Sequence, residues 1–182
     1  MRYFKELREL FLRIKANDKA KGITLDKAIQ QAVDLILALE RGRNKIIFIG
    51  NGGSASIASH LYTDFLKNAR IPALAFNDSS LITCLSNDLG YENVFKQPIE
   101  LLARRGDILF AISSSGKSKN ILRATEAAEK KGCVIITLSG FNPDNPLRFK
   151  GKINFYVPAH SYGFVEIAHL AICHCILDSI IT

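Results

Sequence analysis

Ile46-Ile47-Phe48-Ile49-Gly50-Asn51-Gly52-Gly53-Ser54-Ala55-Ser56 decides how this chain folds. The apolar run reads as a short buried strand, and the Gly/Asn/Ser turn after it leads into helical spacing from Ala58 to Leu66. A strand that ends in a tight turn at a helix N-terminus leaves unpaired backbone N–H groups facing outward, and these attract an anion, usually a phosphate. Gly50, Gly52 and Gly53 let the backbone turn and approach a ligand closely, and Ser54 and Ser56 add hydroxyl donors. The stretch lacks the third glycine of the dinucleotide fingerprint and the lysine of the P-loop. Taken alone, it is equally a glycine turn with a serine N-cap and no ligand.

Moving outward, a second turn of the same kind appears at Ile112-Ser113-Ser114-Ser115-Gly116-Lys117-Ser118, between an apolar run and a helical segment from Asn120 to Lys130. Its plain reading is a serine-rich turn with Ser118 as N-cap. From residue 45 onward, strand and helix alternate. Strands are predicted at 46–50, 73–76, 108–112, 134–138 and 153–157, with helices near 54–68, 79–86, 92–104, 118–131 and 163–180. Short continuous apolar strands alternating with helices imply a parallel sheet covered on both faces. We therefore expect an α/β fold with a five-stranded, parallel, doubly wound sheet of flavodoxin-like order 2-1-3-4-5. In that order the turns after strands 1 and 3 meet at the topological switch point, where ligands bind. Two helix N-termini and several hydroxyls converging on one crevice suit a phosphate dianion.

Ahead of the first strand, Phe4, Leu7, Leu10, Phe11 and Ile14 give helical spacing over 3–15. Ala28, Ala32, Val33, Ile36 and Leu37 do the same over 24–41, with start chemistry at Thr24 and Asp26 and a stop at Gly42. Two leading helices exceed what one sheet face needs. Residues 1–42 are thus expected to be an oligomerisation segment, and 43–182 the α/β core, within one domain spanning 1–182.

Length and composition agree with an ordinary globular chain: 182 residues, 48% hydrophobic and 23% charged. The apolar runs look too short to cross a bilayer, and Met1 to Glu6 turns charged before a signal core forms, so a cytoplasmic location without membrane attachment is expected. Cys84, Cys133, Cys173 and Cys175 sit among apolar residues with no C-x-x-C spacing, and are expected to be reduced core thiols. The net charge of +7 favours an anionic partner, yet the basic residues are scattered rather than blocked, which argues against nucleic acid.

G-N-G-G-S-A after strand 1 and I-S-S-S-G-x-S after strand 3 resemble the SIS (sugar isomerase) phosphosugar-binding family. Asn77-Asp78, the run Asn87-Asp88-Leu89-Gly90-Tyr91, His60 and the last helix with His174 resemble its phosphoheptose isomerase branch over nearly the whole chain. The resemblance implies conversion of sedoheptulose 7-phosphate to D-glycero-D-manno-heptose 7-phosphate, for nucleotide-activated heptose in lipopolysaccharide or capsule synthesis. It also implies a homotetramer with sites formed between subunits. Ser54, Ser113, Ser115 and Ser118 would hold the phosphate, with Asn51, Gly52, Gly53, Ser114 and Asp88 nearby.

Aldose–ketose isomerisation through an enediol needs a base, a second acid/base and stabilisation of the enediolate oxygen. His60 and Asp64 are spaced i, i+4, on one helix face, and Glu166 and His174 lie two turns apart on the last helix, whereas His169 points away and reads as structural. By resemblance, Asp64 and His174 stand at catalytic positions, Glu166 stands where Gln is usual, and His60 completes a set that binds zinc in some members. Asp64 replaces the usual Glu, Gly163 stands where an Asp is common, and the Arg expected after the base is missing near Lys67 and Asn68. Two His and two carboxylates suit Zn²⁺ or another divalent ion, so His60, Asp64, Glu166 and His174 are the expected metal ligands. Asp64, Glu166 and His174 are the expected proton-transfer groups. Two other readings remain: a non-catalytic SIS adaptor resembling the replication-initiator-associating proteins, and a phosphosugar-sensing module.

Overall fold

The computed structural model describes residues 2–19, 21–39 and 43–182. Its strands are β1 (Lys15–Asp18), β2 (Lys21–Ile23), β3 (Ile46–Ile49), β4 (Ala73–Ala75), β5 (Ile108–Ser113), β6 (Val134–Gly140) and β7 (Ile153–Val157). Its helices are α1 (Arg2–Phe11), α2 (Leu25–Leu37), α3 (Gly53–Lys67), α4 (Ser79–Leu89), α5 (Lys96–Leu102), α6 (Lys119–Lys130) and α7 (Tyr162–Ile181). All strands join one sheet in the order β2-β1-β7-β6-β5-β3-β4.

The apolar runs behave as their composition dictates. β3 to β7 pair in parallel, with β3 between β4 and β5, so these strands carry the expected 2-1-3-4-5 order. Alternate residues serve opposite faces. Ile46 and Phe48 pack into the cluster beneath α2, α3 and α7, while Ile47 and Ile49 enter the cluster beneath α5 and α6. Such two-sided burial is why these strands read as continuous apolar runs rather than as alternating ones.

The sheet is nevertheless mixed and seven-stranded, which corrects the expectation of a five-stranded parallel sheet. β1 pairs antiparallel with β7 and with β2, adding a hairpin at one edge. Its sequence, Lys-Ala-Asn-Asp, has no strand-like appearance, since only Ala16 points inward and is buried. The edge itself is β2, Lys21–Ile23, which is short and carries a lysine, features that discourage pairing with another sheet. The hairpin also shortens the first helix, predicted over 3–15, because the chain turns after Phe11 to enter β1.

The leading helices divide in role. Thr24 caps α2 by accepting from the Lys27 amide, and Ala28, Ala32, Val33 and Ile36 are buried in the chain's own core. α2 is therefore part of the sheet's cover and not surplus to it. α1 buries Leu10 but leaves Tyr3 and Phe4 exposed. The predicted stop at Gly42 lies outside the described residues. The helix predicted over 92–104 divides into a 3-10 turn at Tyr91–Asn93 and then α5.

Two composition-based expectations change. α7 is 20 residues long and apolar enough, by length and composition, to cross a membrane, although the apolar runs had looked too short. Val165, Ala168, Ile172, Ile176 and Leu177 pack into the core, the pattern of a central helix in a folded domain. Of the four cysteines only Cys173 is a core thiol, its pKa pushed up to about 12 by burial; Cys84 and Cys175 are exposed because their helix faces turn outward.

Candidate active site

The two Gly/Ser turns meet, as the strand order requires. Asn51, Ser54, Ser113, Ser114, Ser115 and Ser118 line a crevice of about 110 Å³ beyond the carboxyl ends of β3 and β5, joined by Tyr162 and Glu166 from α7. Two close approaches fix the turns. A Cβ on Gly50 would lie 2.5 Å from the Ser54 backbone. Gly116 has φ +62°, and a Cβ there would overlap the buried Asn145 side chain, so the second turn is braced from behind. Asn51 and the buried Asn120 exchange reciprocal amide hydrogen bonds of 3.0 and 2.8 Å, tying the first turn to the start of α6. The Tyr91 hydroxyl donates to Asn51 Oδ1 at 2.9 Å and secures the pair from the α4 side.

The crevice is built to receive an acceptor. Neither α3 nor α6 has a side-chain cap at its N-terminus: Gly52 has none to offer, and Ser118 stands at the N-cap position without making the cap bond. The plain reading of Ser118 as a cap therefore fails, and its hydroxyl faces Ser113 Oγ at 3.5 Å. Both helix N-termini keep their positive ends open toward the crevice. Ser54, Ser113 and Ser114 are at most 5% exposed, and Ser114 Oγ has no hydrogen-bond partner among the described residues. A buried hydroxyl without a partner is costly, and a bound anion would satisfy it. Larger hollows of about 490 and 590 Å³ lie near Lys152 and near the β1–β2 hairpin, but neither gathers these donors.

Further along the same two helices, α3 brings His60 and Asp64 against His174 of α7. His60 Nε2 lies 3.2 Å from His174 Nε2 and 3.4 Å from Asp64 Oδ2. These three residues can aim their ligand atoms at one point, all within 4.8 Å of each other. A tetrahedral ion with bonds of ~2.0–2.1 Å separates its donors by roughly 3.3 Å, so the donor set fits a zinc-type cation. With a proton on one Nε2, the same rings make an N–H···N hydrogen bond. Side-chain exposures of 52% for His60 and 18% for Asp64 leave the cluster open on one side.

Glu166 stands apart from this group. Its carboxylate lies where a side chain on Gly53 would go, 2.4–2.5 Å from a Cβ built there, and lines the crevice. The eight residues to His174 span about 12 Å of helix, which separates Glu166 from the histidine cluster. The expected fourth ligand is thus a wall of the anion crevice in this structure. Asp88, expected near the phosphate, is exposed at the end of α4, where it accepts from Asn87 and from the Cys84 thiol. Gly52 and Gly53 form the turn into α3 as expected.

His169 is a core residue, as its helical phase implied. It is fully buried, its Nε2 donates to the Ser139 carbonyl at 3.1 Å, and burial lowers its pKa to about 4. Asn120 and Tyr162 escaped the sequence reading, and Tyr91 entered it only as the end of the run Asn87–Tyr91, with no site role. Asn120 carried a signal, an amide in the first turn of a helix that follows an anion-type loop. Tyr162 carried none, and the contact of Tyr91 with Asn51 is made only in the folded chain.

Residues 2–140 match the family model described as SIS domain. A phosphoheptose isomerase from Shewanella frigidimarina is 36% identical over 164 residues, covering 86% of this chain and 83% of that protein. The phosphoheptose isomerase GmhA from Neisseria gonorrhoeae superposes with a TM-score of 0.83 at 28% identity, covering 98% of this chain and 95% of that one. A phosphoheptose isomerase from Francisella tularensis gives 0.84 at 29% identity, covering 98% and 94%. With an anion crevice and a histidine–carboxylate cluster on shared helices, this chain belongs to the SIS-domain phosphoheptose isomerase family of phosphosugar isomerases.

Proposed function

We propose that the protein interconverts sedoheptulose 7-phosphate and D-glycero-D-manno-heptose 7-phosphate through an enediol. One observation carries this reading. α3 and α7 hold both a crevice with an unsatisfied buried hydroxyl, Ser114, and a separate cluster of proton-transfer groups, His60, Asp64 and His174. A seven-carbon phosphosugar is long enough to place its phosphate in the first and its carbonyl end toward the second.

In this reading Ser54, Ser113, Ser115 and Ser118 donate to the phosphate, with Asn51 and Ser114 completing the cradle. His174 and Asp64 move the protons between adjacent carbons and between their oxygens, and Glu166 acts from the crevice wall on the sugar chain. His60, Asp64 and His174 would hold the divalent metal, zinc by donor type. When bound, such an ion polarises the carbonyl and stabilises the enediolate oxygen. Asp88 is not among the residues lining the crevice and is given no role in this reading. The product would enter nucleotide-activated heptose synthesis for surface glycans, in the cytoplasm.

Oligomerisation is part of the same reading. α1 exposes Tyr3 and Phe4, and α7 exposes Ile167 and Ile181, an apolar surface suited to other copies of the chain in a tetramer. Light scattering that shows a monomer at micromolar concentration would remove the tetramer.

The deciding experiment is proton NMR of sedoheptulose 7-phosphate with the purified protein in D₂O and Zn²⁺. New aldose anomeric signals, with deuterium entering beside the carbonyl, are expected. Binding without turnover or exchange would overturn the isomerase reading in favour of a phosphosugar sensor.

A further inference from the structure

The crevice recognises a phosphate with hydroxyls and helix ends, and those groups are blind to what the phosphate carries. Discrimination between inorganic phosphate and a phosphosugar has to come from the rim. Among the residues lining the crevice, Tyr162 is the one with a large apolar face. It opens α7, one helical turn before Glu166, and is 63% exposed.

Tyr162 does not hang free. Phe141 meets its ring edge-on, with centroids 4.9 Å apart and planes at 79°. Phe141 follows directly on β6 with φ +55°, a conformation that a bulky side chain seldom adopts. Two hydrogen bonds hold it there: its N–H donates to the Ala159 carbonyl at 3.1 Å, and its carbonyl accepts the Tyr156 hydroxyl at 2.9 Å. On its other side the Phe141 ring stacks with His160, centroids 6.1 Å apart at 21°. A residue kept in an unfavourable backbone state by several contacts marks a place where position matters. Here the position sets the angle of the Tyr162 ring over the crevice.

We propose that Tyr162 is a specificity-determining residue, a platform for the C–H face of the sugar chain next to the phosphate, and that Phe141 is its positioning residue. The inference rests on the crevice being the phosphosugar site. Aromatic faces attract the polarised C–H groups of sugars, whereas inorganic phosphate has none to offer.

Calorimetric titration of the full-length protein with sedoheptulose 7-phosphate and, separately, with inorganic phosphate tests this. Tyr162→Ala should raise the Kd for the sugar phosphate about tenfold and leave that for inorganic phosphate within about twofold, while Tyr162→Phe should match the wild type for both. Phe141→Gly, which removes both the backbone cost and the buttress, should raise the sugar phosphate Kd about threefold and leave that for inorganic phosphate within about twofold. Equal weakening of both ligands by Tyr162→Ala, or of neither, overturns the platform. A wild-type protein that binds neither ligand overturns the crevice reading and the platform together. Binding without isomerisation overturns only the catalytic reading, since the ratio of the two dissociation constants still decides the role of Tyr162.

Discussion

The anion crevice and the histidine cluster share α3 and α7 but are made of different materials. From Gly53 to His60 is about 10 Å along α3. At the first end, Ser54, Ser113 and Ser114 are buried, the turns are braced by Asn51, Asn120 and Asn145, and the groups on offer are helix N-termini and short hydroxyls. At the second end, His60 and Asp64 are partly exposed side chains whose ring and carboxylate atoms make the site. The crevice is set by how strands end. The cluster is set by how two helices are phased. A charge can be recognised by a rigid, preformed surface, whereas moving protons or holding a metal needs groups that can change state.

This contrast predicts that mutations at the two ends separate kcat from binding. The largest effect is expected at His174. His174→Ala should lower kcat about 10³-fold, within the usual range for a lost acid or base, with the KM for the sugar phosphate little changed. A parallel rise in KM would show that the two ends are not independent.

A second large effect involves the other histidine of α7. Folded His169 stays neutral down to about pH 4, while in the unfolded chain it takes a proton near pH 6.5. The unfolded state therefore binds more protons between these values, and stability falls as pH drops through that window, by about 3 kcal/mol in all. Thermal melts of wild type and His169→Gln from pH 7 to 4 check this, and the variant should lack the step.

Next in size is the metal. His60→Ala should weaken zinc binding by about 10²-fold or more, a scale that even outer-shell partners of a ligand reach, and leave inorganic phosphate affinity unchanged. Zinc titration with a competing chelator and phosphate calorimetry on the same sample read both. The smallest effect is expected at Ser114. Ser114→Ala should raise the Kd for inorganic phosphate about tenfold without lowering Tm, because it removes a hydroxyl that only a ligand satisfies. A lower Tm with unchanged phosphate binding would make Ser114 structural and break the distinction drawn here.

How much of this was legible in advance follows from where each signal lies. The apolar strands 46–49, 108–113 and 153–157 announce themselves because both of their faces are buried. The β1–β2 hairpin does not, because a short charged strand with one inward alanine resembles a linker. His60 and Asp64 share a face by helical spacing alone, and His174 joins them as the resemblance implied. Glu166 was expected beside them, yet its place against Gly53 depends on the lateral packing of α7 on α3, which no local spacing encodes.

By itself the sequence determined the α/β class, the two anion-type turns and the pairing of those turns through strand order, since each depends on local periodicity and on the glycines and serines at strand ends. Only the tertiary structure decided that the sheet is mixed, that α2 belongs to the core, that Glu166 walls the crevice and that Tyr91, Asn120 and Tyr162 reach it. Those outcomes arise from contacts between segments distant in the chain. Their energy depends on which side chains face each other across the fold, and a linear pattern does not record that.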